Sequence, residues 1–114
     1  MKTFLESYIQ TALWSSANDD GESLYDDYTV DDFAPETIAK MKEDCTAFQK
    51  ANADNIGTNI EQAGQDFWLT RNRHGSGFWD GRWKDDVGLR LTHAAHAYCE
   101  QSLYVGDDEK LYLA

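Results

Sequence analysis

Phe67-Trp68-Leu69-Thr70-Arg71-Asn72-Arg73-His74-Gly75-Ser76-Gly77-Phe78-Trp79-Asp80 is the stretch on which the fold reading turns. It sets two Phe-Trp pairs around a polar, glycine-containing tip. Two of the chain's four tryptophans and two of its four arginines lie here. Large aromatics bury much area, and Trp also needs a partner for its N–H. A Phe-Trp pair repeated around a Gly turn predicts a hairpin, with strands at 67–72 and 77–80. Phe67, Trp68 and Trp79 are then expected to be buried. Arg71, Arg73 and His74 would form the tip, a secondary candidate surface for a phosphate or carboxylate. The alternative for these arginines is internal pairing with the chain's own excess acids, and this reading is preferred.

Outward from this stretch, residues 2–14 read as an amphipathic helix, with Phe4, Leu5, Tyr8, Ile9, Ala12 and Leu13 on one face. Pro35 stands where a first-turn proline belongs, with Glu36 beside it, and Ile38, Met41, Cys45 and Phe48 step by three and four. That predicts a helix from about 35 to 51. Asn59 can cap a short third helix carrying Ile60, Ala63, Gly64 and Phe67. Asp85 and Asp86 open a fourth, whose stripe is Val87, Leu91, Ala94 or Ala95, Tyr98 and Cys99. Leu103-Tyr104-Val105 and Leu111-Tyr112-Leu113, around a Gly-Asp-Asp-Glu-Lys turn, read as a terminal hairpin. The expected fold is therefore α+β, with helices packed on one face of a small antiparallel sheet built from two hairpins. The whole chain, 1–114, reads as a single domain.

The net charge is −11 and the pI about 4.4. It is uneven: residues 1–66 carry 14 acids against 4 bases, residues 67–114 carry 7 against 6. Such a chain repels free nucleic acid and favours basic protein surfaces, including those that hold nucleic acid. No stretch approaches a membrane span, and no signal peptide is visible, so the expected location is cytoplasmic. Two cysteines, Cys45 and Cys99, without a CxxC, predict reduced thiols, partly buried on their helices.

The acidic loop, residues 15–34, makes the strongest functional claim. Asp19, Asp20, Glu22, Asp26, Asp27, Asp31 and Asp32 are seven acids without a base among them. Leu24, Tyr25, Tyr28, Val30 and Phe33 interleave, so the loop is expected to be pinned by its aromatics, with short extended or turn pieces. The bland reading is a solvated face. The functional one takes the three Asp-Asp pairs, spread over ~20 Å or more, as a mimic of a phosphate backbone set against a basic groove. Tyr25 and Tyr28 would then be anchors.

Metal and catalytic readings are weaker. His93, His96 and Cys99 share a drifting helix face, and His74 could join them, as zinc ligands do. Helical histidines among alanines are more often solvated or core-edge groups, and neither HExxH nor CxxC is present. Ser76, near His74 and Asp80, lacks a nucleophile-elbow context. No catalytic residue, cofactor or metal is expected.

The run DFWLTRNRHGSGFWD, followed by LYVGDDEKLYL, resembles small, uncharacterised proteins encoded by bacteriophages and prophages. In those a DFWLTRNGHG-x-GFWD run precedes a helix and a LYVGDDGK-x-Y ending. The opening from Thr3 to Trp14 also looks like theirs, so the resemblance covers most of the chain. It departs at Arg73, where the pattern carries Gly. The resemblance implies a viral accessory protein and transfers no catalytic residue. Combined with the charge, it leads to an expected monomer or homodimer that inhibits a host nucleic-acid-handling or defence complex, of CRISPR or restriction type. The alternatives are a small metal-dependent enzyme using His74, His93 and His96, or a structural homodimer.

Overall fold

The computed structural model describes residues 2–18 and 20–114. Helix α1, Phe4–Ser15, opens on a reciprocal cap. The Glu6 amide donates to Thr3 Oγ1 at 3.1 Å, and the Thr3 amide donates to Glu6 Oε1 at 3.0 Å. Helix α2, Pro35–Ala51, starts on the proline and buries Met41, Cys45 and Phe48. A short α3, Ala53–Ile56, leads into α4, Ile60–Arg71, and α5 spans Asp85–His96. Strands β1, Leu103–Val105, and β2, Leu111–Leu113, pair antiparallel, with Leu103 opposite Leu113 and Val105 opposite Leu111.

The α+β expectation is overturned. The described residues form five helices and one two-stranded sheet, not a sheet of two hairpins. The reason lies in the Phe-Trp stretch. Ile60, Ala63, Gly64, Phe67, Trp68 and Arg71 continue one stripe at spacings of three and four, and α4 follows it to Arg71. The first Phe-Trp pair is therefore helical. The second follows a loop of turns, where the Phe78 amide donates to Thr70 Oγ1 at 3.1 Å and its ring is buried. Trp79, expected to be buried, is 45% exposed.

The core is aromatic. The Phe48 and Phe67 rings stack with centroids 4.1 Å apart, and Trp68 meets Tyr8 edge-on at 5.4 Å. Its indole N–H donates to Ser15 Oγ at 2.8 Å. Helices α1 and α4 approach closely because Gly64 has no side chain: a Cβ there would run into the Phe4 carbonyl oxygen. The small sheet is tied to α2 by the Thr37 hydroxyl, which donates to the Leu111 carbonyl at 2.8 Å. Cys45 is buried as expected, whereas Cys99 lies beyond the end of α5 and is exposed. Among the described residues, no helix is long and apolar enough to cross a membrane.

Candidate functional site

The acidic loop is a built structure. Its neck is an antiparallel bridge between Ala17 and Ser23. Asn18 sets the turn between them: its Oδ1 accepts from the amides of Asp20 and Glu22, both at 2.9 Å. Two 3-10 turns follow, Leu24–Asp26 and Val30–Asp32. Ser23 caps the first. The second carries a reciprocal cap, with the Thr29 amide donating to Asp32 Oδ2 at 2.8 Å. Leu24 and Phe33 are buried and anchor the loop on the core. Tyr28 ties it to the β1–β2 turn, its hydroxyl donating to Glu109 Oε2 at 3.1 Å. That bond raises the Tyr28 hydroxyl above its ordinary pKa.

This scaffold turns the carboxylates outward. Asp20, Glu22, Asp26, Asp27 and Asp31 are exposed, and Asp32 is half-buried by its capping role. Asp19 lies outside the described residues. Among the described residues, every ion pair falls outside the loop. Tyr25 is half-exposed and Tyr28 is partly buried. Between the loop and α1 runs a groove of about 340 Å³. Ile9 and Leu13 form its floor, and Tyr25, Tyr28 and Val30 its far wall. The sequence places Ile9 and Leu13 on the apolar face of α1, which does not by itself disclose a groove beside them. The signal was present in the apolar residues interleaved among the acids.

The secondary surface does not assemble. Arg71 is 2% exposed and faces inward. Its guanidinium donates to Asp44 Oδ2 at 2.9 Å, to Tyr8 Oη at 3.1 Å, and twice to the Cys99 carbonyl, at 3.0 and 2.7 Å. It lies against the Phe67 and Tyr98 rings, 5.5 and 5.2 Å from their centroids. This is the internal pairing preferred above. Asp44 went unnoticed, although an acid between Met41 and Cys45 on the buried stripe of α2 was the signal. A second buried acid, Asp66, accepts from the Trp83 indole at 2.7 Å and from Arg82 at 2.9 Å. Burial pushes its carboxyl pKa up against the pull of these donors.

Arg73 and His74 stand apart from Arg71. Arg73 is exposed and 3.6 Å from Glu100, while His74 is half-buried beside Ser15, Asn72 and Gln101 in a polar hollow. Arg73 has φ of +56°, a left-handed conformation that costs a side chain ~1–2 kcal/mol and glycine little. Arg73→Gly is expected to stabilise the protein by about 1 kcal/mol, less the surface pair with Glu100. A urea midpoint that falls in this variant would refute the strain.

The metal constellation is not brought together. Among the described residues, no group of three or more His, Cys, Asp or Glu could hold an ion. His93 and Cys99 are exposed and His96 is half-buried. Asp80 is taken up by Arg82, 2.6 Å away, and by the Gly77 amide. Arg90 pairs with Asp86 at 3.4 Å, as the local charge pattern predicts.

No family model, no curated protein and no solved structure matches the chain.

Proposed function

We propose that this is a phage-type acidic accessory protein acting in the host cytoplasm. It binds a host nucleic-acid-handling or defence complex, of CRISPR or restriction type, and inhibits it stoichiometrically by occluding a basic surface. The observation that carries this reading is the acidic loop: a scaffolded row of exposed carboxylates with no basic partner among the described residues. Lys40 and the four arginines are paired elsewhere, on Glu43, Asp44, Asp66, Asp80, Asp86 and Glu100. Uncompensated charge of one sign steers a partner of the other and raises its association rate. The left-handed backbone at Arg73 adds support, because it falls where the phage proteins carry Gly.

The test is charge reversal at Asp20, Asp26, Asp27 and Asp31, leaving Asp32 to cap its turn. These positions are exposed, so the fold is expected to survive, with stability changed by about 0.5 kcal/mol or less per site. Association with purified host CRISPR or restriction complexes should slow strongly and lose most of its salt dependence, since such steering is screened over roughly 8 Å. A folded, charge-reversed protein that displaces DNA from those complexes as well as the wild type does would sink the proposal. So would a wild type that displaces none.

A further inference from the structure

We propose that the groove between α1 and the acidic loop seats the apolar face of a basic amphipathic helix presented by the partner. This rests on the reading of the loop as a partner surface and names the element recognised there.

The lining is mainly apolar, with Lys2 and Glu6 as its charged members. Tyr25 and Val30 are 50% and 52% exposed, yet they stand over the buried side chains of Ile9 and Leu13. Single exposed apolar residues are ordinary on a surface, but a convergent set around a concavity marks a docking site. The volume, about 340 Å³, suits one or two large side chains. The far wall is held in place by the Tyr28–Glu109 bond and by Leu24 and Phe33 in the core, so little ordering remains for binding to impose. Trp14, one turn beyond Gln10 on α1 and 54% exposed, carries the apolar surface along the helix.

The walls determine the shape of the occupant. One is an α-helix and the other two 3-10 turns, with no open strand edge in the lining. An extended peptide would find no ladder for its amides and carbonyls, whereas a helix brings its backbone bonds with it. The rim determines its charge. Glu6 and Lys2 both stand in the lining, and the exposed Asp26, Asp27 and Asp31 adjoin its residues Tyr25, Tyr28 and Val30 in the chain, with no ion pair to any of these four acids among the described residues. Lysine or arginine flanking an apolar face meets these carboxylates. A second copy of this chain, at −11, would bring its own acids against them.

The probes are two synthetic Leu/Lys peptides of roughly 15 residues, long enough for a helix to form. One has leucines at i, i+3, i+4 and i+7, and the other is a scramble of the same composition. Calorimetric titration of the intact protein should show the facial peptide binding at least about tenfold more tightly than the scramble. The Tyr25→Ala/Val30→Ala double variant should remove that margin and leave the weak, salt-sensitive binding of the scramble. Equal binding of both peptides to the wild type would overturn the groove while leaving the acidic loop as a charged surface. Failure of both peptides to bind would count against both readings. If the double variant unfolds, methyl NMR of the wild type decides instead. Shifts at Ile9, Leu13 and Val30 support the proposal, and shifts confined to Leu89 and the Trp79 region overturn it. A wild-type dimer in light scattering whose groove methyls do not respond to the peptide would overturn it too.

Discussion

Asp44→Ala should lower the free energy of unfolding by about 3–5 kcal/mol, the usual cost of removing one partner from a buried ion pair. The Arg71 guanidinium, 2% exposed, would keep its bonds to Tyr8 and the Cys99 carbonyl but lose the one carboxylate it meets among the described residues. Lys40, which reaches Asp44 at 3.1 Å from the surface, has water as an alternative and suffers little. The damage should be concentrated in Arg71, which joins α4 to the segment after α5 through Cys99. The paired replacement Asp44→Leu with Arg71→Met should recover most of the loss, since burying neither charge avoids the desolvation of both. Urea unfolding of the single and double variants measures this directly. An Asp44→Ala protein within about 1 kcal/mol of wild type would mean that Arg71 finds water or another acceptor on relaxation.

The same pair shows how much of this molecule the sequence disclosed. The α2 stripe, the opening of α5 on Asp85-Asp86 and the terminal hairpin were legible because period, cap or turn chemistry agreed with tertiary packing. For Arg71 the internal pairing was legible, but not its partner or its burial. Nothing local distinguishes an arginine at a hairpin tip from one at the buried end of a helix, because the distinction is made by Asp44, 27 residues away. The Phe-Trp repeat misled for a related reason. Aromatic pairs serve helix and strand alike, and the decisive signal was the unbroken stripe from Ile60 to Arg71 rather than the symmetry about Gly75. The acidic loop was found by composition, but of the aromatics expected to pin it only Phe33 is buried and Tyr28 partly so, while Tyr25 is half-exposed and Leu24 supplies the other anchor. Its groove was not found, since a residue such as Ile9 can serve the core with one edge and a surface hollow with the other.

The two members of the repeat, which look equivalent in the chain, should respond very differently to substitution. Trp68→Ala is expected to cost about 3–5 kcal/mol, because truncating a buried aromatic removes its transfer energy and leaves a cavity. The ring is 2% exposed, packs edge-on against Tyr8 and leaves Ser15 Oγ without its indole donor when removed. That is a large share of the ~5–15 kcal/mol that holds a domain together, so the thermal midpoint should fall steeply. Trp79→Ala, at a ring 45% exposed, should change stability by about 1 kcal/mol or less. The residual effect would come from the contact of that ring with Gly77, which has no room for a Cβ between Thr70 and Trp79. A hairpin that buried both rings would predict similar losses at the two sites. Asymmetric losses follow only if Trp68 belongs to α4 and Trp79 to the loop beyond it. Matched thermal melts of the two variants therefore test the helical continuation through Phe67-Trp68, and nearly equal midpoints would argue for the hairpin that the repeat first suggests.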